Sequence, residues 1–136
     1  MEYSFIKWDL FDTYVNVLYY RLKDMQFDTI VGVGRGGLIP ATILSYKLGI
    51  NDLQNIAINT RHSDNIEIYQ IPQNLKGKVL VVDDINDTGV TFETIKKLLD
   101  VDITFASLIK RYNTKFDNIY AHLATNDDWY VFPWDK

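Results

Sequence analysis

The chain lacks cysteine entirely and has only two histidines among its 136 residues. Disulfides and thiolate metal sites are therefore excluded, and a metal centre built mainly from histidine is not expected. The absence of cysteine also fits a reducing compartment, so we expect a cytoplasmic protein.

Long hydrophobic runs and an excess of positive charge are also absent. No stretch approaches the ~20 apolar residues that a membrane span needs, and the first residues do not resemble a targeting segment. The formal net charge is −4, so the protein has no general basic excess for binding nucleic acid. We expect neither a membrane partner nor a nucleic-acid partner.

What the chain does contain is enough apolar sequence for one core. Hydrophobic residues make up 47% of it, and a length of 136 residues favours one domain over residues 1–136. Near the N-terminus, Phe11, Val15, Leu18 and Leu22 follow a helical spacing. They predict an amphipathic helix with Asp9 as its N-cap.

Short apolar runs alternate with helical patterns along the rest of the chain. "LIPATILSYKLG" predicts a helix with Pro40 in its first turn and Gly49 as its terminator, and "TFETIKKLLD" predicts another. Strands that alternate with helices imply crossover connections and an α/β fold, with a mostly parallel central sheet flanked by helices. The predicted strands are residues 29–34, 55–59, 78–82 and 103–109.

The connection over residues 60–77 is unusually long. Compact domains rarely keep more than ~12–15 residues without structure, so this segment is predicted to be a mobile loop or to contain a β-hairpin. "IEIYQI" within it alternates well enough for one hairpin arm.

The stretch "VLVVDDINDTGVTF", residues 79–92, carries the strongest functional pattern. Ligands of parallel sheets bind beyond the carboxyl ends of the strands, where residues 83–91 are predicted to form a loop. "DTGVT" offers backbone N–H groups and hydroxyls at a helix N-terminus, which suits a phosphate monoester. Asp83 and Asp84 are suited to accept hydrogen bonds from sugar hydroxyls and to hold Mg²⁺ through water.

This segment resembles the donor-binding signature of type I phosphoribosyltransferases. "VGRGGLIPATILSYKLGI", "IKWDLF" and "DDWYVFPWD" are similar to segments of the bacterial xanthine-guanine (6-oxopurine) enzymes, in the same order. The resemblance implies the type I fold, with a long flexible loop at 60–77 and a small C-terminal base-binding hood at 119–136. It also implies a homodimer or homotetramer.

The reaction implied by the resemblance transfers a 5-phosphoribosyl group from 5-phosphoribosyl pyrophosphate (PRPP) to N9 of a 6-oxopurine, with Mg²⁺ as cofactor. Asp87 would be catalytic, exchanging a proton with purine N7. Lys110 would read O6, and Trp129 would stack on the purine base, with the main-chain carbonyls of Trp129 and Tyr130 open to a 2-amino group. Asp84 would be the metal ligand. The predicted PRPP-binding residues are Arg35, Gly36 and Gly37 after Gly34, and Asp83, Asp84, Asp87, Thr88, Gly89, Val90 and Thr91.

Two other functions stay open. A regulator with the same fold would bind nucleotide or RNA without turnover. "GVGRGG" also fits the G-x-G-x-x-G pattern of dinucleotide-dependent oxidoreductases, but the next strand ends in Asn59 and Thr60 rather than in an acid. Arg61 is a weaker candidate for contacting pyrophosphate. Trp8 and Trp134 are expected to have packing roles, Trp8 within the core.

Overall fold

A computed structural model describes residues 1–60 and 65–135. Arg61, the candidate pyrophosphate contact, lies outside these residues. None of the helices within them is long and apolar enough to cross a membrane. The helices are α1 (Trp8–Leu22), α2 (Gly34–Leu48) and α3 (Val90–Leu98), and the strands are β1 (Tyr3–Phe5), β2 (Thr29–Val33), β3 (Leu53–Asn59), β4 (Glu67–Gln70), β5 (Lys78–Asn86), β6 (Asp102–Arg111), β7 (Ile119–Ala124) and β8 (Trp129–Val131).

The main sheet has six strands in the order β4-β3-β2-β5-β6-β7. All pairs are parallel except β3 with β4, which confirms the predicted α/β fold with a mostly parallel sheet. β5 lies between β2 and β6, and residues 79–82 in it are fully buried because helices cover both faces of the sheet. The carboxyl ends of the parallel strands therefore meet at one edge.

Two apolar layers enclose the sheet. Phe11, Leu18 and Leu44 from α1 and α2 pack with Leu80 on one face. Phe92 and Ile95 from α3 pack with residues such as Val79 and Val81 on the other. The alternation of Val79 and Leu80 between the two faces follows from the two-residue period of a strand.

Helix α1 buries Phe11, Val15, Leu18 and Leu22 as predicted, but its start differs. The prediction of Asp9 as N-cap is wrong. Lys7 occupies that position, and Asp9 lies in the first turn, where its Oδ1 accepts the Leu10 N–H at 2.9 Å. Trp8 is 54% exposed, so its expected core position is also wrong. The first residue of a helix is covered by few neighbouring side chains.

Helix α2 begins at Gly34, four residues earlier than predicted. Pro40 therefore lies inside the helix rather than in its first turn. Gly34 has a φ of 60°, a conformation that glycine adopts without strain, and it turns the chain directly from β2 into the helix. Gly49 ends the helix with a φ of 70°, as predicted.

Two segments divide differently from the predicted loop and hood. β4 pairs antiparallel with β3, which confirms the hairpin arm in "IEIYQI". β7 is the parallel edge strand of the main sheet, so residues 119–124 do not belong to a separate hood. Within the described part of the predicted hood, β8 lies apart from the main sheet and pairs with β1 in a two-stranded sheet.

Candidate active site

The acids of the predicted loop lie on a strand. β5 continues from Lys78 to Asn86, so the prediction that residues 83–86 form a loop is wrong. Register with β6 holds them in place, with Asp83 opposite Ser107 and Asn86 opposite Lys110. The strand thereby presents both acids at the carboxyl edge of the sheet, where ligands of such sheets bind.

A short turn follows β5 and leads into α3. Gly89 occupies the N-cap position of α3 with a φ of 94°, and a β-carbon there would lie 2.8 Å from the Phe116 side chain. The Thr88 hydroxyl accepts the Val90 N–H at 3.4 Å, and the Thr91 hydroxyl lies 3.3 Å from that of Thr60. Residues 83–89 with Thr91 and Phe92 line a cavity of about 250 Å³. Such a turn at a helix N-terminus suits a phosphate group.

Asp83 and Asp84 are half-buried carboxylic acids. Burial raises the pKa of Asp83 well above its usual value, and the neighbouring Asp84 adds to the effect. Burial also raises the pKa of Asp84, with the charge of Asp135 contributing. Asp83 Oδ1 accepts the Asp84 N–H and Asp84 Oδ1 accepts the Ile85 N–H, both at 2.8 Å. These bonds hold the carboxylates in place and compensate only part of their desolvation.

The glycine pair Gly36–Gly37 allows the first turn of α2 to approach these acids. A β-carbon on Gly37 would lie 2.6 Å from the Val82 carbonyl oxygen, and one on Gly36 would meet Asp84 Oδ2. Only glycine permits this close contact between helix and strand. The predicted pyrophosphate-binding and acid segments therefore lie together. They line a cleft of about 550 Å³ formed by Arg35, Gly36, Ile39, Asp84, Trp134 and Asp135.

Trp134 and Asp135 in that cleft were not predicted as site residues. The Trp134 ring stacks on Phe132 at 5.2 Å, consistent with its expected packing role. Its Nε1 atom, however, is buried without a hydrogen-bond partner among the described residues. Buried indole N–H groups usually have a partner, so this donor is free for a ligand. No periodic pattern in the sequence signals such a contact.

Asp87 forms an ion pair with Arg111, another residue without a predicted role. Asp87 Oδ1 accepts from Arg111 Nε at 2.6 Å. The other guanidinium nitrogens donate to the backbone carbonyls of Asn126 at 3.1 Å and Asp128 at 2.6 Å. Arg111 lines a cleft of about 800 Å³ together with Asp87, Thr88 and Val90. The signal in the sequence that could have identified Arg111 as a site residue is its position directly after Lys110, at the end of a predicted strand.

Lys110 points in another direction. Its ammonium group forms an ion pair with Asp117 and lies 5.3 Å from the centre of the Tyr120 ring. Successive strand residues project to opposite faces, so Arg111 rather than Lys110 lines the cleft beside Asp87. The role of Lys110 as reader of O6 stays a prediction.

Two of the predicted base-binding residues lie close to Asp84. Trp129 and Tyr130 share a cleft of about 640 Å³ with Asp84 and Ile85. Trp129 is 56% exposed, so it is accessible to a planar ligand. Burial raises the pKa of Tyr130, and the neighbouring Asp128 charge adds to the effect. The structure thus joins Asp84, Trp129 and Tyr130 in one concave surface.

The acids fit a hydrated magnesium ion. No group of three or more metal-binding side chains occurs in the parts of the chain that the structure describes. Asp84 and Asp135, however, line the same cleft, and the charge of Asp135 helps to raise the pKa of Asp84. Mg²⁺ commonly keeps several waters and binds through one or two carboxylates plus substrate phosphates, which matches this arrangement.

Fold and site together define an α/β protein built to bind a phosphorylated ligand at the carboxyl edge of a parallel sheet. The sequence model of the "Phosphoribosyl transferase domain" matches residues 16–135, and the chain belongs to this family. It is therefore a pentosyltransferase, as the sequence predicted.

Individual relatives cover nearly the whole chain. Xanthine-guanine phosphoribosyltransferase of Gluconobacter oxydans is 28% identical, over 99% of this chain and 86% of the relative. The crystal structure of a purine phosphoribosyltransferase from Pyrococcus horikoshii has a TM-score of 0.89 and 31% identity, over 100% of this chain and 95% of that one. A Neisseria gonorrhoeae hypothetical protein with bound ppGpp has a TM-score of 0.81 and 26% identity, over 99% and 90%. The resemblance to xanthine-guanine enzymes is thereby confirmed.

Proposed function

We propose that the protein is a purine phosphoribosyltransferase that transfers the 5-phosphoribosyl group of PRPP to N9 of hypoxanthine, guanine or xanthine. The products are the nucleoside monophosphate and pyrophosphate. The observation that carries this proposal is the convergence on Asp84 of two clefts, one containing the glycine pair and the other Trp129. A donor bound at Asp84 would therefore lie between a pyrophosphate site and a base site.

PRPP binds in this proposal along the edge of the sheet. The turn of residues 87–91 holds the 5-phosphate with backbone N–H groups and the hydroxyls of Thr88 and Thr91. Asp83 and Asp84 accept hydrogen bonds from the ribose hydroxyls. Arg35 and the backbone N–H groups of Gly36 and Gly37 contact the pyrophosphate.

Asp84 holds Mg²⁺ in this proposal, with Asp135 facing it across the cleft. The ion, when bound, neutralises charge that develops on the leaving pyrophosphate. The protein's own contribution is to hold the part-buried Asp84 in the same cleft as the exposed Asp135, which favours the binding of a cation there.

The purine lies against Trp129, with its 2-amino group directed to the carbonyls of Trp129 and Tyr130. Asp87, with a side chain 53% exposed at the cleft, exchanges the proton of purine N7. Lys110 donates a hydrogen bond to O6 after its ammonium group leaves Asp117. A hydrogen-bond donor at this position pairs with the 6-oxo group and disfavours the 6-amino group of adenine.

The decisive assay measures pyrophosphate release with PRPP, Mg²⁺ and one of four bases: hypoxanthine, guanine, xanthine or adenine. We expect release with at least one 6-oxopurine and little with adenine. A reaction without base is the control for hydrolysis of the donor. Preference for adenine would contradict the assigned specificity, and binding of PRPP without release on any base would indicate a regulator instead. Binding of a dinucleotide without a response to PRPP would favour the oxidoreductase.

The relative with bound ppGpp supports a second ligand for the same site. This guanine nucleotide carries diphosphate groups. The glycine pair and the turn of residues 87–91 could hold those groups, and the exposed Trp129 could stack on the guanine. We expect ppGpp to compete with PRPP, which inhibition kinetics at several PRPP concentrations would test. An apparent PRPP affinity that ppGpp leaves unchanged would contradict a shared site.

Assembly remains a prediction of the family resemblance, and the compartment remains a prediction from the absence of cysteine. We expect a homodimer or homotetramer, which light scattering of the purified protein would distinguish from a monomer. We also expect a cytoplasmic location.

A further inference from the structure

Arg111 contacts two separate segments of the site through one guanidinium group. Nε donates to Asp87 on the turn after β5, and the other two nitrogens donate to carbonyls in the segment before Trp129. We infer that Arg111 is a positioning residue that fixes the Asp87 carboxylate and this segment relative to each other. The inference rests on the proposed function, since it assigns Asp87 the proton exchange.

The sheet register places the ion pair. Asn86 of β5 and Lys110 of β6 are register partners. The residues that follow them, Asp87 and Arg111, are therefore brought beside each other. The Tyr112 N–H donates to the Ala124 carbonyl at 3.0 Å, which ties the end of β6 to the start of the 125–128 segment. The contact therefore follows from backbone pairing that the core maintains.

The chemistry of the guanidinium suits this role. Its donors have a fixed planar arrangement, so binding three acceptors at once determines where each acceptor lies. The side chain is only 12% exposed and lies 5.6 Å from the centre of the Tyr130 ring. Partial burial strengthens such charge-assisted hydrogen bonds and reduces the mobility of the side chain.

A direction for Asp87 follows from this arrangement. The guanidinium engages Oδ1, which leaves Oδ2 as the oxygen available to exchange the N7 proton. The same guanidinium also fixes the chain just before Trp129. The distance between the Trp129 ring, which stacks on the base, and the Asp87 carboxylate, which meets N7, is therefore held constant. Catalytic geometry is sensitive at this level, since a displacement of ~1 Å can lower a rate by ~10²-fold.

Kinetics of Arg111→Gln, Arg111→Lys, Asp87→Asn and the double variant R111Q/D87N test the role. We expect R111Q to lower kcat by about 10²-fold and to leave KM for PRPP within about two-fold. R111K should restore about ten-fold of the lost kcat, because lysine keeps the positive charge but lacks the planar set of guanidinium donors. In the D87N background, R111Q should lower kcat by a smaller factor than it does in the wild type, since Arg111 acts in part through Asp87. Arg21→Gln, on α1, is the control for loss of an arginine elsewhere.

Hydrogen exchange of the backbone amides of residues 125–129 supplies a readout that does not require turnover. R111Q should accelerate this exchange, and R21Q should leave it unchanged. Unchanged exchange in R111Q, or rate losses that multiply in the double variant, would overturn the inference. If the wild-type protein releases no pyrophosphate with any base, the proposed reaction fails, and the exchange measurement alone decides whether Arg111 fixes the segment.

Discussion

Asp84 Oδ2 occupies the space that a β-carbon on Gly36 would fill. The carboxylate therefore lies directly against the backbone of the first turn of α2, with Trp134 Nε1 on the same side. Two segments far apart in the sequence, the glycine turn and the acid pair, are thus in contact at one point. PRPP bound with its ribose on one side of this point and its pyrophosphate on the other would contact both segments.

Gly36→Ala should weaken PRPP binding severely. The added methyl group cannot coexist with Asp84 in its present position, so either the carboxylate or the helix turn must move. We expect at least about a ten-fold loss of PRPP affinity by calorimetry, which corresponds to ~1.4 kcal/mol. Gly49→Ala is a matched control on the same helix, since it adds the same methyl group at a residue with φ of 70° and open space around it. G49A should lower stability without changing PRPP affinity; equal losses of affinity would contradict the assignment.

Asp84→Asn should stabilise the ligand-free protein at neutral pH. Burial raises the pKa of Asp84, so its favourable contribution exists while the carboxyl is protonated, and is lost as the pH rises through the raised value. Asparagine stays neutral, so its advantage in the free energy of unfolding should be larger at about pH 7.5 than at about pH 4.5. Chemical denaturation at both pH values without Mg²⁺ measures it. The same variant should lose Mg²⁺-dependent PRPP binding.

Asp117→Asn provides the opposite trend as a control. The Lys110 ammonium lowers the pKa of Asp117, so any stability from this carboxylate is present at neutral pH and is lost as the pH falls through the lowered value. The carboxylate is almost fully exposed, so solvent screening keeps the effect small. If D84N and D117N shifted stability in the same direction with pH, the buried-acid explanation would be wrong.

The sequence predicts the buried strands of this protein but not the length of β5 or the role of Arg111, and the reasons are physical. Continuous apolar runs identified the buried strands, because residues such as Val81 face helices on both sides of the sheet. The sequence predicts too short a β5, because polar residues such as Asp83 are unusual in a buried strand and favour a loop. The role of Arg111 depends on the register of β5 with β6 and on the path of residues 125–128, which local patterns do not contain.

Trp134→Phe should weaken PRPP binding with little cost to folding. Phenylalanine keeps a ring against Phe132 but removes the buried Nε1–H, which has no partner in the described protein. We expect this donor to serve the bound pyrophosphate or its hydration, and a hydrogen bond to a charged group contributes ~1.5–3 kcal/mol. The KM for PRPP should rise about ten-fold or more. Trp8→Phe, at a half-exposed ring 6.1 Å from Trp134, is the control and should leave KM unchanged.

Lys110 and Asp117 give a test of base selection. If Lys110 reads O6, its ammonium group must leave Asp117, a carboxylate whose side chain is 92% exposed and whose ion pair is therefore weakly held. Asp117→Asn should then free the lysine and lower the KM for hypoxanthine a few-fold. Lys110→Met should raise that KM and reduce the ratio of kcat/KM for hypoxanthine over adenine by about 10-fold or more. An unchanged ratio in K110M would remove Lys110 from the base site.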